Sequence, residues 1–298
     1  MELLKRVLTA VVLIPLVLLL VLRAPIAVVA IVTGLIALAA IHELLKLAES
    51  YAIQPLRLPA YIYCAIFFLL LALHPGSTDL LSTSGFAYMA LSAAVLAPFI
   101  FLAIAMSNDQ LAGAFPGAMV PAFAFIYVAL PMGSLVGLRE QWQGSFLVLY
   151  LMLLVWAGDI FAYFVGKPFG RNRMSPRVSP NKTWEGAAAS VIASVAVGVL
   201  MFHYAPEISR ALFAAHLIEQ QGGVFQQLPL LPIITLSIVL NAAAQLGDLA
   251  ESLIKRGAGM KDSGAILPGH GGMLDRVDAL LFAAPVLWIY AAWRVMMQ

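Results

Sequence analysis

Long apolar runs separated by short polar segments dominate the chain. Their limits fall near 7–22, 25–41, 58–74, 86–106, 113–137, 145–166, 184–204, 228–251 and 275–296. A run of about 20 apolar residues matches the hydrocarbon thickness of a bilayer, so each reads as a spanning helix. The predicted fold class is all-α: a polytopic integral membrane protein of about nine transmembrane helices. Pro25 suits the first turn of the second span. Pro116, Pro121 and Pro131 predict a kink or break in the fifth. No solenoid repeat and no low-complexity linker interrupts the pattern. The simplest organisation is one membrane domain over 1–298, with N-terminal spans of little motif content (1–140) followed by polar, motif-bearing spans and loops (145–298).

Composition agrees. Hydrophobic residues make up 62% of the chain and charged residues 11%, against about half and about a quarter in soluble domains. A soluble fold is thereby excluded as the main reading. Cys64 is the only cysteine, which rules out a disulfide within the chain and a cysteine metal cluster. The start, Met1-Glu2-Leu3-Leu4-Lys5-Arg6 before an apolar stretch, has the outline of a signal peptide but no small-residue cleavage site after it, and is read as a retained first helix. With the N-terminus inside and nine spans, thirteen of the 17 Lys and Arg residues fall on the inner side, including both basic clusters of the C-terminal half.

The charge is concentrated. Residues 58–138 hold only Asp79 and Asp109 among Asp, Glu, Lys and Arg, whereas two inner segments hold most of the rest. The first begins with Asp159 inside the sixth span, roughly 10 Å from its end at about 1.5 Å per residue. A carboxylate at that depth is expected to be functional, or else to pair with a lysine between helices. After a basic loop comes Ser179-Pro180-Asn181-Lys182-Thr183-Trp184-Glu185-Gly186. Pro180 is expected to fix a turn, Thr183 to cap the next helix and Glu185 to lie in its first turn. Lys182 would then stand beside a helix N-terminus, a favourable place for phosphate.

In the second segment Asn241, Gln245, Asp248, Ser252 and Lys255 recur at steps of four, three, four and three, which places them on one helical face. Glu251 joins the edge of this stripe, which is expected to line a cavity. Arg256, Lys261, Asp262, His270, Gly271, Gly272, Asp275, Arg276 and Asp278 follow. Asp275 and Asp278 also suit a helix N-terminus, and capping is their plainer reading. A lone histidine is usually just hydrogen-bonded, but the glycines around His270 make it a candidate phosphate contact. Carboxylates without cysteine or paired histidines suit a hard cation such as magnesium, and lysine and arginine suit phosphates. Together they fit a nucleoside triphosphate, and their place at a membrane surface fits a lipid co-substrate. Neither a Walker-type nor a dinucleotide-binding glycine motif is present.

The stretch Ser252-Leu253-Ile254-Lys255-Arg256, then Lys261-Asp262-Ser263-Gly264, then Leu267-Pro268-Gly269-His270-Gly271-Gly272-Met273-Leu274-Asp275-Arg276-Val277-Asp278 resembles the signature of phosphatidate cytidylyltransferases throughout its length. The stretch from Asp159 to Gly186 resembles the family too, with Ile160 where relatives often carry a small polar residue. Before it, Glu43 is the one familiar position. The resemblance implies transfer of CMP from CTP to phosphatidic acid, giving CDP-diacylglycerol and pyrophosphate in phospholipid biosynthesis. It implies magnesium as cofactor, with a second cation as an option, and an inner-membrane enzyme whose site faces the cytoplasm. Asp248 and Asp275 would hold the metal, with Asp159 and Glu251 as further candidates. Lys255, Arg256, Lys261 and Arg276 would bind phosphates, with Asp262, His270 and Asp278 beside them. Ser179, Asn181, Lys182, Thr183, Glu185, Ser252, Gly271 and Gly272 would contact substrate. The implied partners are CTP, phosphatidic acid and the bilayer, with a homodimer as an option and no nucleic acid.

Other readings compete. A cation-coupled transporter would also place Asp159 and Asp248 in spans, but leaves the basic, glycine-rich surface loop idle and lacks an evident inverted repeat. A CTP-dependent transferase acting on another lipid phosphate is the alternative within the family. An intramembrane aspartyl protease would use Gly158-Asp159 and Gly247-Asp248, without the usual Gly-x-Gly-Asp. A zinc protease at His42-Glu43 is excluded because position 46 is lysine.

Overall fold

The computed structural model describes residues 2–73, 83–107, 111–141, 143–218, 229–266 and 271–296. Asp79, Asp109, Trp142 and His270 lie outside them. The helices are α1 (Glu2–Arg23), α2 (Ile26–Glu49), α3 (Arg57–Leu73), α4 (Thr83–Ala105), α5 (Ala114–Ala124), α6 (Leu130–Glu140), α7 (Gly144–Phe169), α8 (Trp184–His203), α9 (Ala205–Ala214), α10 (Leu230–Gly257) and α11 (Leu274–Met296). Seven segments are long and apolar enough to cross a membrane by length and composition: Ile26–Glu49, Ser84–Ala105, Leu111–Glu140, Gly144–Phe169, Trp184–His203, Leu230–Gly257 and Leu274–Val295. Of the two remaining expected spans, α3 (Arg57–Leu73) is a shorter apolar helix, and the last ten residues of α1, Ile14–Arg23, are apolar as well. The chain is thus a polytopic, helical integral membrane protein. Leu35, Ile66, Phe99, Phe164, Ile192 and Ile289 stand exposed on its surface, as they would against lipid rather than water.

The proline-rich fifth span is not broken. α5 passes through one π turn, Phe125–Ala129, into α6. Pro131 has no N–H to offer the carbonyl four residues back, and the helix widens at that point instead of ending. Two elements were not visible in the apolar pattern. One is α9. The other is a hairpin of β1 (Arg173–Ser175) and β2 (Ser179–Thr183), with Arg173 opposite Thr183 and Ser175 opposite Ser179. Pro180 lies within β2, so the turn precedes it rather than forming around it.

Two apolar cores meet at α11. One joins α2, α3, α4, α5, the π turn and α6 with Leu274, Val277 and Leu281 of α11. The other joins α7, α8 and α10 with Ala283, Ala284 and Leu287. α8 packs along α7, and α10 runs between α8 and α11.

The polar stripe of α10 divides in two. Its upper half closes a helix interface instead of lining a cavity. Asn241 is buried, and its Nδ2 donates to Ser190 Oγ and Ser194 Oγ of α8, both at 2.8 Å. Gln245 Nε2 donates to Asn241 Oδ1 at 2.5 Å, and Ser194 Oγ to the Leu154 carbonyl of α7 at 3.0 Å. Gly158 of α7 faces this group at a distance where a methyl would collide with Asn241 and Ser190. Among packed transmembrane helices such bonds contribute on the order of 0.6 kcal/mol each, and their geometry fixes how the helices are rotated.

Candidate active site

Below this zipper the stripe turns ionic. Asp248 Oδ2 accepts from Lys182 Nζ at 2.6 Å, and Asp248 Oδ1 from Ser252 Oγ at 3.4 Å. Lys182 comes from β2, so the hairpin reaches back onto α10. About two turns further along α10, Lys255 Nζ lies 2.5 Å from Glu251 Oε2 and 2.5 Å from Asp275 Oδ1 of α11. Glu251 is fully buried. Asp278 sits close enough to Asp248, Asp159 and Lys255 for their charges to act on it, and Asp159 in turn is within reach of Lys182 and Arg276. The two lysine–carboxylate pairs therefore belong to one charged cluster, built from α7, β2, α10 and α11.

The hairpin is anchored at its base. Thr183 caps α8, its Oγ1 accepting from the Gly186 N–H at 3.2 Å. Glu185 lies in the first turn, as expected, but its carboxylate is occupied by Asn172, which donates its backbone N–H and, at 2.8 Å, its Nδ2. Glu185 thereby ties the start of β1 to the start of α8. Ser179 and Asn181 sit on β2 beside Lys182. At the turn, the Val178 carbonyl accepts from Arg256 Nε at 3.3 Å, so the exposed Arg256 joins the hairpin tip to the end of α10. Lys261, Asp262 and Arg276 are exposed around this rim.

Asp275 is the most heavily bonded acid. Besides Lys255, its Oδ2 accepts from the Gly272 N–H at 2.8 Å and from both the Ser263 N–H and the Ser263 Oγ at 3.0 Å. Gly271 has φ +78°, a left-handed conformation that suits glycine, and a methyl there would press on Asp275. Gly272 is tight for another reason: a Cβ would collide with Ser263 and Glu43. Both glycines thus lie against carboxylates of the protein itself.

Glu43 had only a family resemblance to single it out. It comes from α2, is 2% exposed, and accepts from Ser263 Oγ at 2.9 Å, the Met273 N–H at 3.0 Å and the Leu274 N–H at 2.8 Å. A sequence signal did exist, namely a carboxylate in the midst of Ile41, Leu44, Leu45 and Leu47. Tyr127, in the π turn, was not singled out at all. Its hydroxyl is buried with no hydrogen-bond partner, as are Glu251 Oε1 and Trp288 Nε1.

A divalent cation suits the donor chemistry. The acids present only oxygen, and a lysine ammonium stands on Asp248 and another on Asp275, where positive charge is evidently accommodated. With both lysines in place, no three acidic, histidine or cysteine side chains among the described residues converge at metal-binding distance.

The chain is similar in sequence to several proteins that share one name. Phosphatidate cytidylyltransferase of Brucella abortus biovar 1 (strain 9-941) is 40% identical over 173 residues, which is 58% of this chain and 57% of that protein. The enzyme of the same name from Bacillus subtilis (strain 168) is 34% identical over 170 residues, covering 57% and 56%. That from Haemophilus influenzae is 37% identical over 147 residues, covering 49% and 46%. The matches thus span about half the length of these relatives. The Cytidylyltransferase family as a whole matches residues 4–293, so both halves of the chain, the sparse N-terminal helices included, belong to that family.

Proposed function

We propose that the protein is a phosphatidate cytidylyltransferase that transfers CMP from CTP to phosphatidic acid. The observation that carries the reading is the convergence of Lys182, Asp248, Lys255 and Asp275, from three separate elements, into one charged cluster with Arg256, Lys261 and Arg276 on its rim. The names of the relatives support the same chemistry.

A phosphate monoester is anionic at neutral pH and needs no strong base to attack. An oxygen of the lipid phosphate forms a bond to the α-phosphorus of CTP, the bond from that phosphorus to the β-phosphate oxygen breaks, and pyrophosphate leaves. What the protein must supply is alignment of two polyanions and stabilisation of the leaving charge. Lys255, Arg256, Lys261 and Arg276 meet the phosphates, and His270 is a further candidate for phosphate contact. Lys182, Ser179, Asn181 and Thr183 bring the hairpin over the substrate. Asp248 and Asp275 would hold magnesium, aided by Asp159 and Glu251. When bound, the ion would offset triphosphate charge and favour departure of pyrophosphate. Asp262 and Asp278 orient the neighbouring cations.

The same reading puts the site on the cytoplasmic face of an inner membrane, with α1 and α3 completing nine crossings. At about 1.5 Å per residue the 17 residues of α3 reach about 25 Å, enough with modest bilayer thinning. The test is direct. The purified full chain, given phosphatidate micelles, labelled CTP and magnesium, is expected to yield a labelled lipid and pyrophosphate. Absence of both, with folded protein, refutes the assignment.

A further inference from the structure

We infer that Glu43, on α2 of the N-terminal half, is a positioning residue that holds Asp275 and the start of α11 in working geometry. The inference rests on the function proposed above for Asp275 but on separate contacts.

The first N–H groups of a helix have no partner within it. α11 begins at Leu274, and the residue before it, Met273, has no side-chain oxygen to cap with. Glu43 fills that role from another helix, 230 residues away along the chain, by accepting from the Met273 and Leu274 N–H groups. A carboxylate there also faces the positive end of the helix dipole. Among the described residues Glu43 has no ion-pair partner. A buried charge must be satisfied by hydrogen bonds, and here the donors all come from the loop and helix start that carry Asp275.

The link to Asp275 is a single atom. Ser263 Oγ lies 2.9 Å from Glu43 Oε2 and 3.0 Å from Asp275 Oδ2. One hydroxyl proton is shared between two carboxylates, so a shift of either acid is felt by the other. Gly264 and Gly272 flank Glu43 so closely that neither has room for a Cβ. The pocket is therefore shaped around this one side chain.

The test uses the full chain in detergent, as wild type, Glu43→Gln and Ser263→Ala. Glutamine keeps the shape but turns an NH₂ group toward N–H donors, and alanine removes only the bridge. Partners of this kind typically tune metal affinity or activity by about 10- to 100-fold. In Glu43→Gln, amide exchange at Met273 and Leu274, measured without nucleotide or metal, is expected to quicken by at least about tenfold. In both variants the magnesium concentration for half-maximal CTP turnover should rise by about tenfold or more, with turnover per folded molecule reduced. A merely structural role lowers the yield of folded protein but leaves that magnesium demand as in wild type, and this result in either variant overturns the inference. Should Glu43→Gln not fold, Ser263→Ala decides alone. Inactive wild type would refute the proposed function, and the exchange measurement would still decide whether Glu43 orders the start of α11.

Discussion

Replacing Asp248 by asparagine separates what the charged cluster does for folding from what it does for chemistry. The side chains of Lys182 and Asp248 are 26% and 36% exposed, so their ion pair is worth about 0–1 kcal/mol after solvent screening. Asparagine preserves the shape and can still accept from Ser252. It also removes a negative charge that acts unfavourably on Asp159 and Asp278. These effects oppose each other, and the net change in stability should stay within about 1 kcal/mol. Turnover is a different matter, because Asp248 both restrains Lys182 and is proposed to hold the metal. Loss of about 100-fold or more, equal to about 2.7 kcal/mol or more in barrier height, is expected. The assay pairs thermal unfolding in micelles with CTP-dependent lipid labelling across a magnesium titration. A folded Asp248→Asn protein with turnover within about threefold of wild type would defeat the reasoning, since no first-rank ligand or lysine restraint costs so little.

Three further outcomes are expected. Asn241→Leu strips Ser190, Ser194 and Gln245 of a shared partner and should lower stability by about 1–2 kcal/mol, measured by unfolding in mixed micelles, while residual activity at low temperature survives. Tyr127→Phe removes a buried hydroxyl that has no partner, so stability should be unchanged or rise by up to about 1 kcal/mol; a clear loss would show that the hydroxyl is satisfied after all. Gly272→Ala forces a methyl into Ser263 and Glu43 and should cost about 1–3 kcal/mol of stability together with activity, whereas Gly113→Ala, which meets nothing within 4 Å, should be silent in both assays.

Hydropathy located α7, α8, α10 and α11 to within a few residues, except at polar ends. α10 runs on to Gly257 and α2 to Glu49, because charged residues such as Lys255, Arg256 and Lys46 continue a helix after the apolar run has ended. The fours and threes of the α10 stripe showed a common face, but not that Asn241 and Gln245 are spent on α8 while Asp248 and Lys255 are not. That division depends on where Ser190 and Ser194 sit on a different helix. The hairpin escaped notice because three- and five-residue strands leave no periodic trace. Thr183 as a cap was readable from local chemistry alone, whereas the tie between Glu185 and Asn172 needed the chain to fold back. Glu43 was singled out by family resemblance alone, and its donors lie more than 200 positions away, beyond any local pattern.

The Asn241 zipper also acts as an angular reference. From Asn241 to Asp248 is seven residues, nearly two whole turns at 3.6 residues per turn. Whatever orientation α8 imposes on the amide is handed to the carboxylate almost undiminished. Slippage of α10 by one residue would swing Asp248 by about 100° and shift it about 1.5 Å, carrying it away from the hairpin lysine. A few hydroxyls on α8 thus set the compass bearing of an acid two turns away on another helix.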